Sequence, residues 1–287
     1  MRNGYYESTK EYSKEYKTSC WEAAIGLQQV DGLEVSDYLR ELSYKEVEGE
    51  LTHYEIEELL YKKYEDANIE IGRQKEADIV STRIAALLQE DGFSLSPVLL
   101  KHIHKTLFKD IYSHAGDFRK YNISKDEPIL GGRSVKYANY QMIEETFAYD
   151  FEQEKNKSYA GLSSAEVVKR IANFTSAIWQ VHAFGEGNTR TTAVFIQKYL
   201  NFMGFEVDNS LFLENSLFYR NALVRSNYGA YSEGVVPTNL WLERFYENLL
   251  FGAKHELKNR DLLVEEYMED IRKLVKEDVV YGGVKIL

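Results

Sequence analysis

His182-Ala183-Phe184-Gly185-Glu186-Gly187-Asn188-Thr189-Arg190-Thr191-Thr192 lies between two strongly apolar stretches, and the fold is read outward from it. Upstream, Val167, Ile171, Phe174, Ile178 and Val181 recur at three- and four-residue steps, the stripe of a core-facing helix. His182 follows Ile178 by four residues, so it is expected to close that buried stripe instead of pointing at bulk water. Gly185 and Gly187 let the backbone turn tightly and approach a ligand closely. Asn188 and Thr189 are N-cap residue types. Ala193, Val194, Phe195, Ile196, Tyr199 and Leu200 follow, which predicts a deeply buried helix beginning near Asn188.

The junction gathers chemistry as well as packing. A helix start presents unpaired N–H groups and the positive end of the helix dipole, which suits phosphate. Arg190 adds a fixed-charge donor fork. Glu186 is a hard oxygen ligand of the kind Mg²⁺ takes beside substrate phosphates. His182 accepts a proton near neutral pH. Phosphate cradle, metal carboxylate, cation and base within nine residues point to nucleotide-dependent group transfer.

These residues resemble the signature of the Fic family, His-Pro-Phe-x-(Asp/Glu)-Gly-Asn-Gly-Arg-x-x-Arg. His182, Phe184, Glu186, Gly187, Asn188 and Arg190 match it in identity and spacing. Ala183, Thr189 and Ala193 depart from it, and Ala193 stands where the family has its second Arg. The resemblance implies an all-α fold with a β-hairpin flap, and transfer of AMP from ATP to a hydroxyl of a target protein, self-modification included. It implies His182 as general base, Glu186 as the ligand of Mg²⁺, and Gly185, Gly187, Asn188 and Thr189 as the phosphate cradle. Arg190 would neutralise the leaving pyrophosphate, and Phe184 would anchor the loop in the core. Two alternatives stay open: transfer of phosphate or another nucleotide-type donor's group, and a catalytically weak nucleotide-binding regulatory module.

Composition sets outer bounds. The chain has 287 residues, 44% of them hydrophobic, and only three prolines, consistent with an α-rich protein holding a sizeable core. A lone cysteine, Cys20, excludes an internal disulfide framework and is expected of a cytoplasmic protein. No apolar run approaches membrane-spanning length, so no membrane partner is expected. The net charge of −11 argues against nucleic acid as a partner. Residues 1–70 hold 8 Lys+Arg and 17 Asp+Glu, a net of −9, which leaves −2 for the remainder.

That acidic segment reads as three short helices. One covers about Ser19 to Gln29, and a second, Val35 to Val47, is capped by Ser36. The third is capped by Thr52 with Glu55 three residues on, a capping box. Ile25 to Leu33 followed by Val47 to Thr52 resembles the small antitoxins that inhibit some Fic toxins, which would place the protein in a toxin–antitoxin setting. Their inhibitory motif is matched only in part, by Leu27 with Asp31 or by Thr18 with Glu22. With Ala193 in place of the Arg that would hold such an acid, the segment is expected to act chiefly as a structural cap.

Beyond it, helices are expected over Glu76 to Gln89, from Ser96-Pro97 onward, over Gln141 to Lys155, over Glu214 to Asn227 and from Val236-Pro237 to Leu250. A charge-rich helix is expected over Asp261 to Lys276. His102 and His104 stand two apart, on different sides of a helix, and with His114 are read as structural or surface histidines. Between Tyr121 and Tyr140, β-prone pieces surround Gly131-Gly132. The resemblance makes Ile129 to Tyr137 the flap that docks the target protein, and leaves homo-oligomerisation open. The expected organisation is an antitoxin-like segment (1–70), a Fic catalytic domain (71–255) and a helical tail (256–287).

Overall fold

In the computed structural model, which describes residues 12–65 and 72–264, the chain is helical, and no β-strand occurs among the described residues. Helix α1 (Lys14–Gly26) is capped by Ser13 and tightens into a 3-10 turn, Leu27–Asp31, that Gly32 ends in the left-handed region. Helix α2 (Asp37–Val47) starts as the sequence predicts, with the Ser36 hydroxyl accepting from the Leu39 N–H at 3.1 Å. Helix α3 (His53–Glu65) opens on the expected capping box: Thr52 N–H donates to Glu55 at 2.8 Å, and Glu55 N–H donates to the Thr52 hydroxyl at 3.2 Å.

The body consists of α4 (Gly72–Gln89), α5 (Pro97–Phe108), α6 (Ile143–Lys155), α7 (Ser164–Val181), α8 (Asn188–Phe202), α9 (Leu211–Asn227) and α10 (Leu240–Phe251). Each falls where apolar periodicity and start signals place a helix, with ends shifted by a few residues. The α7 stripe Val167, Ile171, Phe174, Ile178 and Val181 is buried, and α8 is buried from Asn188 to Leu200. A helix apolar on most sides has to lie at the centre, and α8 packs against α4, α5 and α7.

The three N-terminal helices share this core. Cys20, Trp21, Ala24 and Leu27 belong to the same buried cluster as Phe195 and Phe245. Helix α1 packs on α4 and α9. At Gly26 the approach is so close that a Cβ would lie 2.2 Å from the Phe212 carbonyl oxygen.

One expectation needs correction. The segment 121–142 is not a regular hairpin: it holds a 3-10 turn, Pro128–Leu130, and one isolated antiparallel bridge, Glu127 to Arg133. Pro128 has no N–H to donate to a ladder, and Ile129, Leu130 and Val135 all turn into the core instead of alternating. The expected tail helix, Asp261 to Lys276, lies mostly outside the described residues; within them, Asn259–Leu262 forms a 3-10 turn.

Candidate active site

Helix α7 ends at His182, which has φ 48° and ψ 54°. Among the described residues only Asp110 and His182 are non-glycine residues with positive φ. This left-handed conformation costs an L-residue about 1–2 kcal/mol, and it turns His182 off the α7 stripe. The residue is nevertheless buried, at 4% exposure, so His182 closes the stripe away from bulk water as expected, with the left-handed turn added.

Arg119 holds the turn. Its Nε donates to the His182 carbonyl at 2.7 Å and a terminal nitrogen donates to the Val181 carbonyl at 3.2 Å. Its own N–H donates to the Ala183 carbonyl at 2.8 Å. A buried cation thus satisfies the last carbonyls of α7. No local spacing in the sequence marks Arg119, because it acts across 63 positions.

The loop that follows is held from beneath. Phe184 is buried and stacks on His104 with ring centres 3.8 Å apart. His104 Nδ1 accepts from the Gly116 N–H at 2.8 Å, so Nε2 carries the proton and donates to the Glu186 carbonyl at 3.1 Å. Burial pushes the His104 imidazole down to about 3, which keeps it in this neutral tautomer. His104 is therefore structural in a way that bears on the site.

Gly187 is the N-cap of α8, with φ 73°, and a Cβ there would sit 2.3 Å from the Phe108 ring. Asn188 is consequently the first helical residue, not the cap. Its amide closes the loop instead, accepting from the Phe184 N–H at 2.9 Å and donating to the Phe184 carbonyl at 2.8 Å. Thr189 accepts from the Trp179 indole at 2.9 Å. Gly185 packs below Tyr121 and His114, where a Cβ would lie 3.0 Å from the Tyr121 hydroxyl.

The functional side chains differ in environment. The His182 ring nitrogens are buried and, among the described residues, without a hydrogen-bond partner, with the Tyr137 ring centre 4.1 Å and the Trp179 ring centre 5.3 Å from the imidazole centre. Burial holds this imidazole well below the ordinary histidine range, and the cations Lys125, Arg119 and Arg220 push the same way. It is a neutral proton acceptor at pH 7. Glu186 is 53% exposed and pairs with Lys125 at 3.2 Å.

Arg190 is enclosed, at 1% exposure. Its Nε pairs with Asp31 at 2.9 Å, and its terminal nitrogens donate to Glu76 at 2.8 Å and to Gln28 at 3.0 Å. The Phe108 ring lies 4.8 Å from its centre. The Asp31 contact is an ion pair without hydrogen-bond directionality. Burial opposes the charge, but Asp31, Tyr112 and Glu76 together raise the pKa of the guanidinium. One cation facing two carboxylates leaves the cluster at −1 in formal charge. Glu22, the other candidate acid, instead lines a groove with Tyr44, Val47 and Asp208.

Among the described residues no group of three His, Cys, Asp or Glu side chains is arranged to hold a metal ion. A single accessible carboxylate, Glu186, fits a divalent ion that arrives on phosphates and keeps several waters, and does not fit a resident site built from protein alone.

A helical body with a histidine-led glycine loop at the start of a buried central helix defines a Fic-type domain. Residues 94–200 match the model of the Fic/DOC family, and the chain carries a Fic/DOC domain over that span. It is 32% identical over 111 residues to protein adenylyltransferase VbhT of Bartonella schoenbuchensis, a match covering 38% of this chain and 22% of that protein. It is 28% identical over 137 residues to the probable protein adenylyltransferase y4lH of Sinorhizobium fredii, covering 44% and 62%. The chain thus spans less than two thirds of each of these relatives. Among solved structures, BepC of Bartonella tribocorum with bound AMPPNP is similar in fold (TM-score 0.51, 17% identity, 65% of this chain and 90% of that one). The N-terminal Fic domain of an effector protein from Bartonella sp. AR 15-3 is similar too (TM-score 0.50, 18% identity, 63% and 83%). No helix among the described residues is long and apolar enough to cross a membrane.

Proposed function

We propose that this chain is a protein adenylyltransferase that moves AMP from ATP to a hydroxyl side chain of a target protein, itself included. The observation that carries the reading is His182: a neutral imidazole whose ring nitrogens have no hydrogen-bond partner among the described residues, fixed by Arg119 at the start of the Gly185–Arg190 loop. The naming of two relatives as adenylyltransferases, and AMPPNP in a neighbour of the same fold, support ATP as the donor.

In this reading the target hydroxyl oxygen attacks the α-phosphorus, and its proton passes to His182. The bond from the α-phosphorus to the bridging oxygen breaks, and pyrophosphate leaves. Gly187, Asn188, Thr189 and the first N–H groups of α8 bind the phosphates; Gly185 and the Asn188–Phe184 clasp keep the loop in shape. Mg²⁺, when bound, would supply charge neutralisation at the phosphates, with Glu186 as its protein ligand once Lys125 is displaced. The segment Ile129 to Tyr137 would receive the target. The test is intact-mass analysis after incubation with ATP and Mg²⁺, alone and with cell lysate: gain of one AMP supports the reading, and gain of one phosphate rejects it for phosphoryl transfer.

A second reading concerns regulation and is favoured by the enclosure of Arg190. With Asp31 and Glu76 both on the guanidinium, its charge is already balanced, and the cluster repels an approaching triphosphate. In this reading residues 12–65 restrain the site through Asp31, and Arg190 meets the leaving pyrophosphate only after Asp31 withdraws. The expectation of a chiefly structural cap assumed a loosely held acid, and a pair on a guanidinium at 1% exposure is not loose.

A further inference from the structure

We infer that Tyr137 is a gating and positioning residue for His182, held over the imidazole by buried Glu127 and its ion pair with Arg220, so that a hydroxyl reaches the base only when the Tyr137 ring swings out. This rests on the reading of His182 as a general base. A base has to come within hydrogen-bond reach of the proton it takes, about 2.6–3.2 Å between heavy atoms. Here neither ring nitrogen is open to solvent.

Two aromatic rings flank the imidazole, and they differ in freedom. Trp179 sits inside α7 at full burial, with its indole N–H donated to Thr189 at 2.9 Å, so it is a fixed wall. Tyr137 belongs to the irregular segment 121–142 and is half-buried. Its ring lies 4.1 Å from the His182 ring at 34°, which covers that side.

What holds Tyr137 is a short polar chain. Its hydroxyl donates to Glu127 Oε1 at 3.2 Å. Glu127 is wholly buried, and its Oε2 pairs with Arg220 of α9 at 2.7 Å. The backbone on either side is pinned separately. Gln180 donates to the Lys136 carbonyl, and Arg119 donates to the Ala138 carbonyl at 2.5 Å. Opening therefore needs the Tyr137 side chain to rotate and release one hydrogen bond, with the segment's backbone left in place. Tyrosine is suited to this: its face covers the imidazole, and its hydroxyl forms the latch. Phenylalanine would cover without latching.

Carbethoxylation by diethyl pyrocarbonate, followed histidine by histidine with peptide mass spectrometry on the full chain, reads this directly. In the parent, His182 reacts far more slowly than exposed His255. In Tyr137→Ala its rate rises at least about tenfold, a change of about 1.4 kcal/mol, while the rates at His104 and His255 stay as they were. Tyr137→Phe and Glu127→Gln, which loosen the latch without removing the cover, give smaller rises at His182 alone. An unchanged His182 rate in folded Tyr137→Ala overturns the inference. If that variant does not fold, unchanged rates in both Tyr137→Phe and Glu127→Gln overturn it equally. The readout is independent of the reaction catalysed: a parent that transfers no AMP but shows the selective rise in reactivity would remove the proposed function and leave the gate standing.

Discussion

Asp31 and Arg190 stand 2.9 Å apart, joining the 3-10 turn that ends α1 to the first turn of α8. The pair couples an acidic N-terminal segment to the residue that the Gly185–Gly187 loop leads into. Removing Asp31 changes the formal charge around the guanidinium from −1 to 0 and frees one side of it. Asp31→Ala should raise self-modification by roughly tenfold, about 1.4 kcal/mol of barrier, while Glu22→Ala leaves it unchanged. Equal rates in the parent and both variants would make the segment a structural cap and no more.

His104 is expected to matter for the loop without touching substrate. His104→Ala removes the donor to the Glu186 carbonyl and the stack under Phe184. An orphaned buried acceptor costs about 1–3 kcal/mol and a lost aromatic contact about 0.5–1.5 kcal/mol. The variant should unfold at visibly lower denaturant and bind ATP more weakly, both seen by titration. His104→Gln, which keeps an amide donor, should recover part of each loss. An unchanged unfolding midpoint in His104→Ala would contradict the role.

Acid should destabilise the chain through its buried histidines. His104 is pushed down to about 3 and His53 to about 4, both chiefly by burial, and His182 is lowered as well. In the unfolded chain each returns to about 6.5. Below that value the unfolded state binds protons that the folded state refuses, so stability is full above about pH 6.5 and falls as the pH drops toward the depressed values. Each group contributes up to about 1.4 kcal/mol per pH unit in that window. Urea unfolding at pH 7, 6 and 5 measures the slope, and His104→Gln should flatten it. A slope the same in parent and variant would rule out the His104 contribution.

Much of this was legible in the sequence because its causes are local. Ser36, Thr52 with Glu55, and Ser96-Pro97 start helices where they stand, since a cap acts over three or four residues. The α7 stripe and the apolar run of α8 fix the central pair by periodicity alone. Long-range contacts left no such trace. Arg119 reaches the end of α7 across 63 positions, and Gln28 reaches Arg190 across 162. Asn188 has the residue type of a cap, yet Gly187 tolerates both the positive φ and the approach of Phe108, so it takes the cap and frees the Asn188 amide. β-prone pieces around Gly131-Gly132 predict a hairpin between Tyr121 and Tyr140. Inward-turned Ile129, Leu130 and Val135 tie it to the body by side chains instead of by a ladder.

The central claim is that His182 accepts the proton of a hydroxyl that attacks the α-phosphate of ATP. Its most direct test is transfer from ATP labelled at the α- or at the γ-phosphate, measured for the parent and for His182→Ala with nucleotide binding followed in parallel. The account predicts incorporation of α-label only, a fall of about 10²–10⁴-fold in His182→Ala as expected for loss of a general base, and ATP binding retained. Label incorporated from the γ-phosphate, or transfer by His182→Ala at the parent's rate, would contradict it.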